Sequence, residues 1–279
     1  MASSLKMPAM TARPSAPGRP RLLPTPFLKA SAVVHAAAAG SLVHPSWWPV
    51  ALGAVVANHV GLAAAGLLPR CSWLGPNWTR LPGVQSRVAI TIDDGPDPEV
   101  TPRVLDILAA RAVRATFFCI GERVARHPDL ARAITAAGHA VENHSQRHLH
   151  RFSLLGPRAM AREIAAAQDT IREICGRAPA FFRAPAGLRN PLLQPLLEAC
   201  GLTLASWTRR GFDTVNRDPR DVLSRLGRNL AAGDILLLHD GHAARTATGV
   251  PVILEVLPAL LDAAAARQLA CVTLPQARA

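Results

Sequence analysis

Two patterns of apolar residues divide the chain. Up to residue 70 the apolar positions run together in two blocks, Phe27–Val43 and Trp47–Leu68, separated by His44-Pro45-Ser46 and closed by Pro69-Arg70. From Arg87 onward, short apolar runs alternate with amphipathic stretches. Runs at 88–92, 115–120, 140–142, 180–182, 202–207, 235–238 and 270–274 predict strands. Between them, helical spacing predicts helices at about 100–111, 122–137, 157–175, 190–200, 219–232 and 251–268. Pro102 and Pro191 suit first-turn positions, and Gly138, Gly176, Gly201 and Gly233 suit helix stops. Seven strands alternating with six helices predict a parallel sheet, open or closed into a barrel. Functional groups in such folds gather where the strands end.

The two apolar blocks predict a membrane hairpin. The second has 22 residues, about 33 Å as a helix, which matches a hydrocarbon core of about 30 Å. The first has 17 residues and reaches about 26 Å, workable with Lys29 snorkelling. Trp47 and Trp48 fall where an interfacial aromatic belt sits. Asn58 and His59, midway along the second block, must face another helix or water. Two alternatives stand beside this: a hairpin buried on the soluble domain, and a cleavable signal with Ala37-Ala38-Ala39 near its cut site.

The organisation expected is a disordered basic tail (1–26), transmembrane helices at 27–43 and 47–68, a juxtamembrane linker (71–86) and a soluble domain (87–279). Basic residues flank the outer ends of the hairpin and none lies in its turn, which puts the soluble domain in the cytoplasm, facing a bacterial-type inner membrane. A single span would put it in the periplasm.

Charge sharpens this division. The chain of 279 residues carries +12, which invites a nucleic-acid reading. No acid precedes Asp93, so the eight bases of residues 1–92 account for +8; the other 23 bases face all 19 acids and leave +4. The excess thus belongs chiefly to the tail and membrane flanks, and nucleic acid is not an expected partner. The five cysteines are scattered with no CxxC pair, and read as reduced residues of the core.

Four groups of polar residues follow predicted strands. Asp93-Asp94-Gly95-Pro96 leaves the first strand with two adjacent carboxylates that point apart and can take separate roles. His144 and His148, spaced i and i+4, would share one side of a helical turn. With Asp94 they offer two imidazoles and a carboxylate, the makeup of a catalytic metal site with open positions. Arg183-Ala184-Pro185-Ala186 follows the fourth strand, where an Arg can pair with a carboxylate. His239 ends the run Ile235–Leu238.

In this order the T-x-D-D-G-P, H-S-x-x-H, R-x-P and L-x-H-D pieces resemble the polysaccharide deacetylases, the NodB-homology carbohydrate esterases of family four, from about Arg87 to Leu274. The resemblance implies a distorted (β/α)7 barrel. It implies metal-dependent removal of an N-acetyl or other acyl group from an amino sugar, usually with zinc. Asp94, His144 and His148 would bind the metal, Asp93 would be the general base and Arg183 its partner. Asp213 would brace Arg183, and His239 would protonate the leaving amine. The backbone N–H of Ala186 would stabilise the oxyanion. Ile92 replaces the usual Phe of the first motif, a minor change, and two further positions depart from the family: Ala186 stands where Tyr or Phe is usual, and Thr214 follows Asp213 where Trp is common. Both reduce the apolar lining. With a cytoplasmic domain, a lipid-linked amino sugar at the inner leaflet is the expected substrate rather than an exported glycan. The alternative is a catalytically silent carbohydrate-binding or scaffold module on the same fold.

Overall fold

The structure is a computed structural model that describes residues 24–41, 43–83 and 85–278. The expected tail lies almost wholly outside the described residues, as does Leu42 of the first apolar block.

The apolar blocks form α1 (Pro26–Ser41) and α2 (Trp48–Leu67), joined through a short turn. They pack on each other through the polar residues that needed a partner. Asn58 Nδ2 donates to Ser31 Oγ at 2.9 Å, and the rings of His35 and His59 meet edge-on at 5.1 Å. Among the described residues, only α2 is long and apolar enough to cross a membrane. With 16 residues, α1 spans about 24 Å. The buried-hairpin alternative fails on exposure: Val50, Leu52, Val56 and Val60 are each more than half exposed, and only Ala65 and Gly66 of α2 are buried. Gly66 is where α2 touches the rest of the protein. Its carbonyl accepts Arg189 N–H at 3.1 Å, and a Cβ there would lie 2.3 Å from the Arg189 oxygen.

The remaining elements follow in order: β1 (Arg87–Asp93), α3 (Thr101–Ala110), β2 (Thr116–Cys119), α4 (Gly121–Arg126), α5 (Pro128–Ala136), β3 (Ala140–Asn143), α6 (Pro157–Cys175), β4 (Phe181–Phe182) and α7 (Leu193–Ala199). Then come β5 (Thr203–Leu204), β6 (Arg209–Arg210), α8 (Pro219–Gly227), β7 (Ile235–His239), α9 (Val252–Ala266), β8 (Ala270–Cys271) and α10 (Leu274–Arg278). The sheet runs β5-β4-β3-β2-β1-β7-β6, with β8 also on β1, and every named pair is parallel.

Strand alternation builds two cores. Val88, Ile90 and Ile92 of β1 and Leu236 and Leu238 of β7 face the outer helices. Ala89 of β1 and Ile235 and Leu237 of β7 face inward, with Phe118, Phe181 and Leu274. The same period of two carries Asp93 and His239 to the inner face. They are register partners, side by side where β1 and β7 end.

The sheet curls until its two edge strands are separated only by residues 205–208. The seam is filled by the segment expected to be a linker. Trp78 N–H bonds Leu204 O at 3.0 Å, its carbonyl accepts Ser206 N–H at 2.8 Å, and Leu81 N–H reaches Gly233 O at 2.8 Å. Arg80 pairs with the buried Asp234 at 3.1 Å. Trp78, Arg80 and Leu81 are thus tied into the fold.

Three local expectations change. The helix expected over 122–137 is two helices, because Pro128 lacks the N–H that would continue α4 and starts α5 instead. Residues 274–278 form α10, which places Leu274 and Ala277 in the inner core, rather than extending a strand. β6 is an eighth, two-residue strand with no apolar run to announce it.

Candidate metal and catalytic site

Asp93, Asp94, His144, His148, Arg183, Asp213 and His239 meet at the ends of β1, β3, β4 and β7, and Ala186 stands on the rim in the turn after β4. The adjacent Asp carboxylates do point apart. Asp93 continues the inward face of β1, whereas Asp94 takes φ 74° and turns its carboxylate toward the histidines. Ser145, His148 and Ala186 also have φ of 64°, 51° and 54°. Such conformations cost non-glycine residues about 1–3 kcal/mol each, and persist where surrounding contacts over-determine them.

His144 and His148 do not lie on a helical turn, as their spacing suggested. β3 ends at Asn143, and the loop is shaped by side chains: Asn143 Oδ1 accepts Ser145 N–H at 2.9 Å, and Ser145 Oγ accepts His148 N–H at 3.1 Å. His144 Nδ1 lies 2.8 Å from the carbonyl oxygen of Arg183, which aims Nε2 at the carboxylates.

The Nε2 atoms of His144 and His148 each lie 3.2 Å from Asp94 Oδ1, and the three ligand atoms fall within 4.8 Å of one another. Asp94 Oδ1 is buried and makes no hydrogen bond, a costly state for a carboxylate oxygen. Tetrahedral bonds of about 2.0–2.2 Å give ligand–ligand edges of about 3.3–3.6 Å, so these donors fit a single divalent ion such as zinc. Among the described residues, this is the one group of three or more His, Cys, Asp or Glu residues so arranged.

Electrostatics agree with separate roles. Burial would raise the Asp94 carboxyl, but the imidazoles of His144 and His242 beside it hold it well below its ordinary range. Burial and the neighbouring His144 push His148 down to about 4, leaving it neutral and ready to ligate. Burial opposes the charge on His144, yet Asp93 and Asp94 outweigh it and raise the imidazole above its ordinary value. Behind the site, burial lifts the Asp240 carboxyl to about 7 and Thr101 Oγ1 donates to it.

Arg183 is fully buried and fixed at every branch. Nη1 donates to Asp93 Oδ1 at 2.6 Å and to Thr91 Oγ1 at 2.8 Å, Nε to Ala205 O at 3.1 Å and Nη2 to Ser206 O at 2.7 Å. Its guanidinium lies 4.1 Å from the Phe118 ring centroid. Asp93 is thereby held by Oδ1 while Oδ2 lies 3.7 Å from His144 Nε2, toward the ligands.

One expected contact is wrong. Asp213 does not brace Arg183, whose partners are Asp93, Thr91 and two carbonyls. It holds His239, accepting its backbone N–H at 2.7 Å and lying 2.9 Å from Nδ1. β6 pairs with β7, so the loop that follows β6 reaches the end of β7 rather than β4. Burial depresses His239, but Asp213, with Asp93 and Asp94, outweighs it and lifts the imidazole to about 9.

The structure adds His242, which the sequence reading passed over. Its Nδ1 lies 2.9 Å from Asp94 Oδ2. The signal was its place three residues after His239, in the same strand-end loop. Trp207 and Phe212 line a cavity that reaches Ala186.

The family model for polysaccharide deacetylase matches residues 81–205, a span that contains Asp93, Asp94, His144, His148, Arg183 and Ala186 and stops before Asp213 and His239. A peptidoglycan-N-acetylglucosamine deacetylase of Bacillus cereus is 34% identical over 182 residues, covering 64% of this chain and 84% of the relative. A chitooligosaccharide deacetylase of Bradyrhizobium is 36% identical over 167 residues, covering 60% and 75%. A family 4 carbohydrate esterase from Streptomyces lividans, solved in complex with acetate, superposes with a TM-score of 0.61 at 31% identity, covering 68% of this chain and 93% of that one.

Proposed function

The chain belongs to the polysaccharide deacetylase family, and from that premise we propose that it hydrolyses the N-acetyl or other N-acyl group of an amino sugar, using a divalent metal, best matched by zinc, on Asp94, His144 and His148. The observation that carries this is the buried, unsatisfied Asp94 Oδ1 between two imidazole nitrogens, beside an Arg-held Asp and an Asp-held His. The ion, when bound, supplies Lewis-acid polarisation of the acyl carbonyl and acidifies water.

The chain's own groups do the rest. Asp93 takes the proton of the attacking water through Oδ2, since Arg183 holds Oδ1. The N–H of Ala186, exposed on the rim, is the oxyanion donor. His239 gives a proton to the leaving nitrogen from Nε2, because Nδ1 is committed to Asp213. An amide nitrogen leaves poorly as an anion, so this acid is required. The complete set argues against the alternative of a silent carbohydrate-binding module, since loss of ligands is the usual mark of such relatives.

His239 must be protonated to act, and its folded pKa is raised to about 9. The basic limb of the kcat/KM profile, which reports the free protein, is therefore expected near that pH, with activity lost as pH rises through it. Asp213→Asn removes the main raising charge while burial remains, so the limb moves to lower pH. A limb unmoved in Asp213→Asn would exclude this pairing from catalysis.

We further propose that α1 and α2 anchor the protein in a bacterial-type inner membrane with the catalytic domain on the cytoplasmic side. The large apolar residues that α2 leaves exposed support anchoring, since soluble monomers rarely show so large a patch. The basic flanks of the hairpin support the orientation. The substrate is then a lipid-linked amino sugar. Cells making the protein are expected to hold a glycolipid lighter by one acyl group than cells making Asp93→Asn. Unchanged glycolipids beside a deacylated exported glycan would overturn that choice.

A further inference from the structure

A second built feature adjoins the site and takes no part in the chemistry above. Between the end of α2, β6 and α8 lies a cavity of about 860 Å³, which reaches Ala186 at the barrel rim. Its lining includes Arg70, Arg209, Arg210, Arg225 and Arg228 against one acid, Asp221. Two of these arginines are committed. Arg209 pairs with the buried Asp234 at 2.6 Å and donates to the carbonyls of Arg228 and Asn229. Arg225 pairs with Asp221 at 3.0 Å.

The others keep donors in hand. Arg210 lies over the rings of Phe212 and Trp207, 4.8 and 5.5 Å from their centroids, and its buried Nε has no hydrogen-bond partner. Among the described residues, the Arg228 side chain has no partner, and Arg70 uses only Nη1, on Thr208 O at 3.1 Å. With Arg209 and Arg225 paired to acids, Arg70, Arg210 and Arg228 are left lining the cavity without a carboxylate partner among the described residues. Arginine forks match phosphate oxygens bidentately, which a neutral glycan does not exploit.

Position selects the ligand further. Leu67, the last residue of α2, and Leu188 line the same cavity, so it opens between the apolar hairpin and the catalytic rim. We infer that this cavity binds a phosphate or diphosphate ester carried by the amino sugar, leaving the acyl group at Ala186 and the metal ligands. The inference rests on the deacylase reading and names the substrate class within it: an N-acyl amino sugar joined to phosphate. The phosphate can come from a lipid carrier or from a soluble sugar phosphate.

The test uses the full chain in detergent and two probes, N-acetylglucosamine 1-phosphate and its methyl glycoside, read by calorimetric binding and by amine release. The phosphate is expected to bind at least about tenfold more tightly than the glycoside at low salt, the scale of one charge-assisted hydrogen bond. Arg210→Gln/Arg228→Gln should erase the preference and leave glycoside hydrolysis unchanged. Arg228→Gln alone, which breaks no side-chain hydrogen bond or ion pair, should erode it partly and guards against misfolding of the double variant. Equal binding of both probes, or a preference intact in the double variant, overturns the inference. So does a hexuronate-containing N-acetylated disaccharide that binds as tightly as the phosphate. Phosphate binding without hydrolysis of either probe would sink the deacylase reading while leaving the anion site standing. A prenyl ester of the sugar phosphate that binds tighter still identifies a lipid-linked ligand; equal affinity identifies a soluble one, and both support the site.

Discussion

Asp93→Asn is expected to lower kcat by about 10²–10⁴-fold, the contribution of a positioned general base. Asparagine keeps the shape, and its amide oxygen can still accept Arg183 Nη1, but it cannot take the proton from water. Metal content should stay at the wild-type level, because Asp93 lies outside the Asp94–His144–His148 set. The substitution also has a structural price, since Arg183 is buried and loses its countercharge. Breaking such a pair completely costs about 3–5 kcal/mol, and the retained hydrogen bonds to Thr91, Ala205 and Ser206 should keep the loss below that. Denaturant midpoints separate the two effects. A kcat near wild type in a folded Asp93→Asn protein would remove Asp93 from its role.

Asp94→Asn is expected to abolish metal retention and take activity with it, by about 10³-fold or more at ordinary metal concentrations. This carboxylate is the meeting point of His144 and His148 at 3.2 Å each, and His242 lies on its other oxygen at 2.9 Å. Losing its charge removes the one anion among the three ligands. A readout independent of activity is thermal stability. Zinc at about a thousand times its dissociation constant stabilises a binding fold by about 4 kcal/mol, and that gain should appear in the wild type and vanish in Asp94→Asn. An identical zinc-induced shift in both proteins would place the ion elsewhere.

Much of this was legible in the sequence, for identifiable reasons. β1 and β7 read as buried strands because both faces are covered, and their period of two also says which residues turn inward. The left-handed turn at Asp94 separates the two carboxylates as adjacent residues leaving a strand must be separated. What was not legible depends on contacts distant in sequence. Asp213 was assigned to Arg183, but the partner is decided by β6 pairing with β7, and β6 is two arginines without an apolar pattern. Trp78 and Arg80 looked like linker because their partners, Leu204 and Asp234, lie more than 120 residues away. The i, i+4 spacing of His144 and His148 led to the right neighbours through the wrong geometry, since side-chain hydrogen bonds of Asn143 and Ser145 replace the helix. The arginine cavity has no signature at all, because its arginines come from the segment after α2, from β6 and from α8 with the residue that follows it, and only folding collects them.

Acyl hydrolysis is expected to require a single ion on Asp94, His144 and His148. The most direct measurement strips the purified protein with a chelator and titrates zinc back while acetate and free amine are counted from an N-acetylglucosamine oligomer. Both products are expected in equal amounts, rising together and levelling off at one ion per chain. Full activity in the stripped protein, or none when that ion is bound, would contradict it.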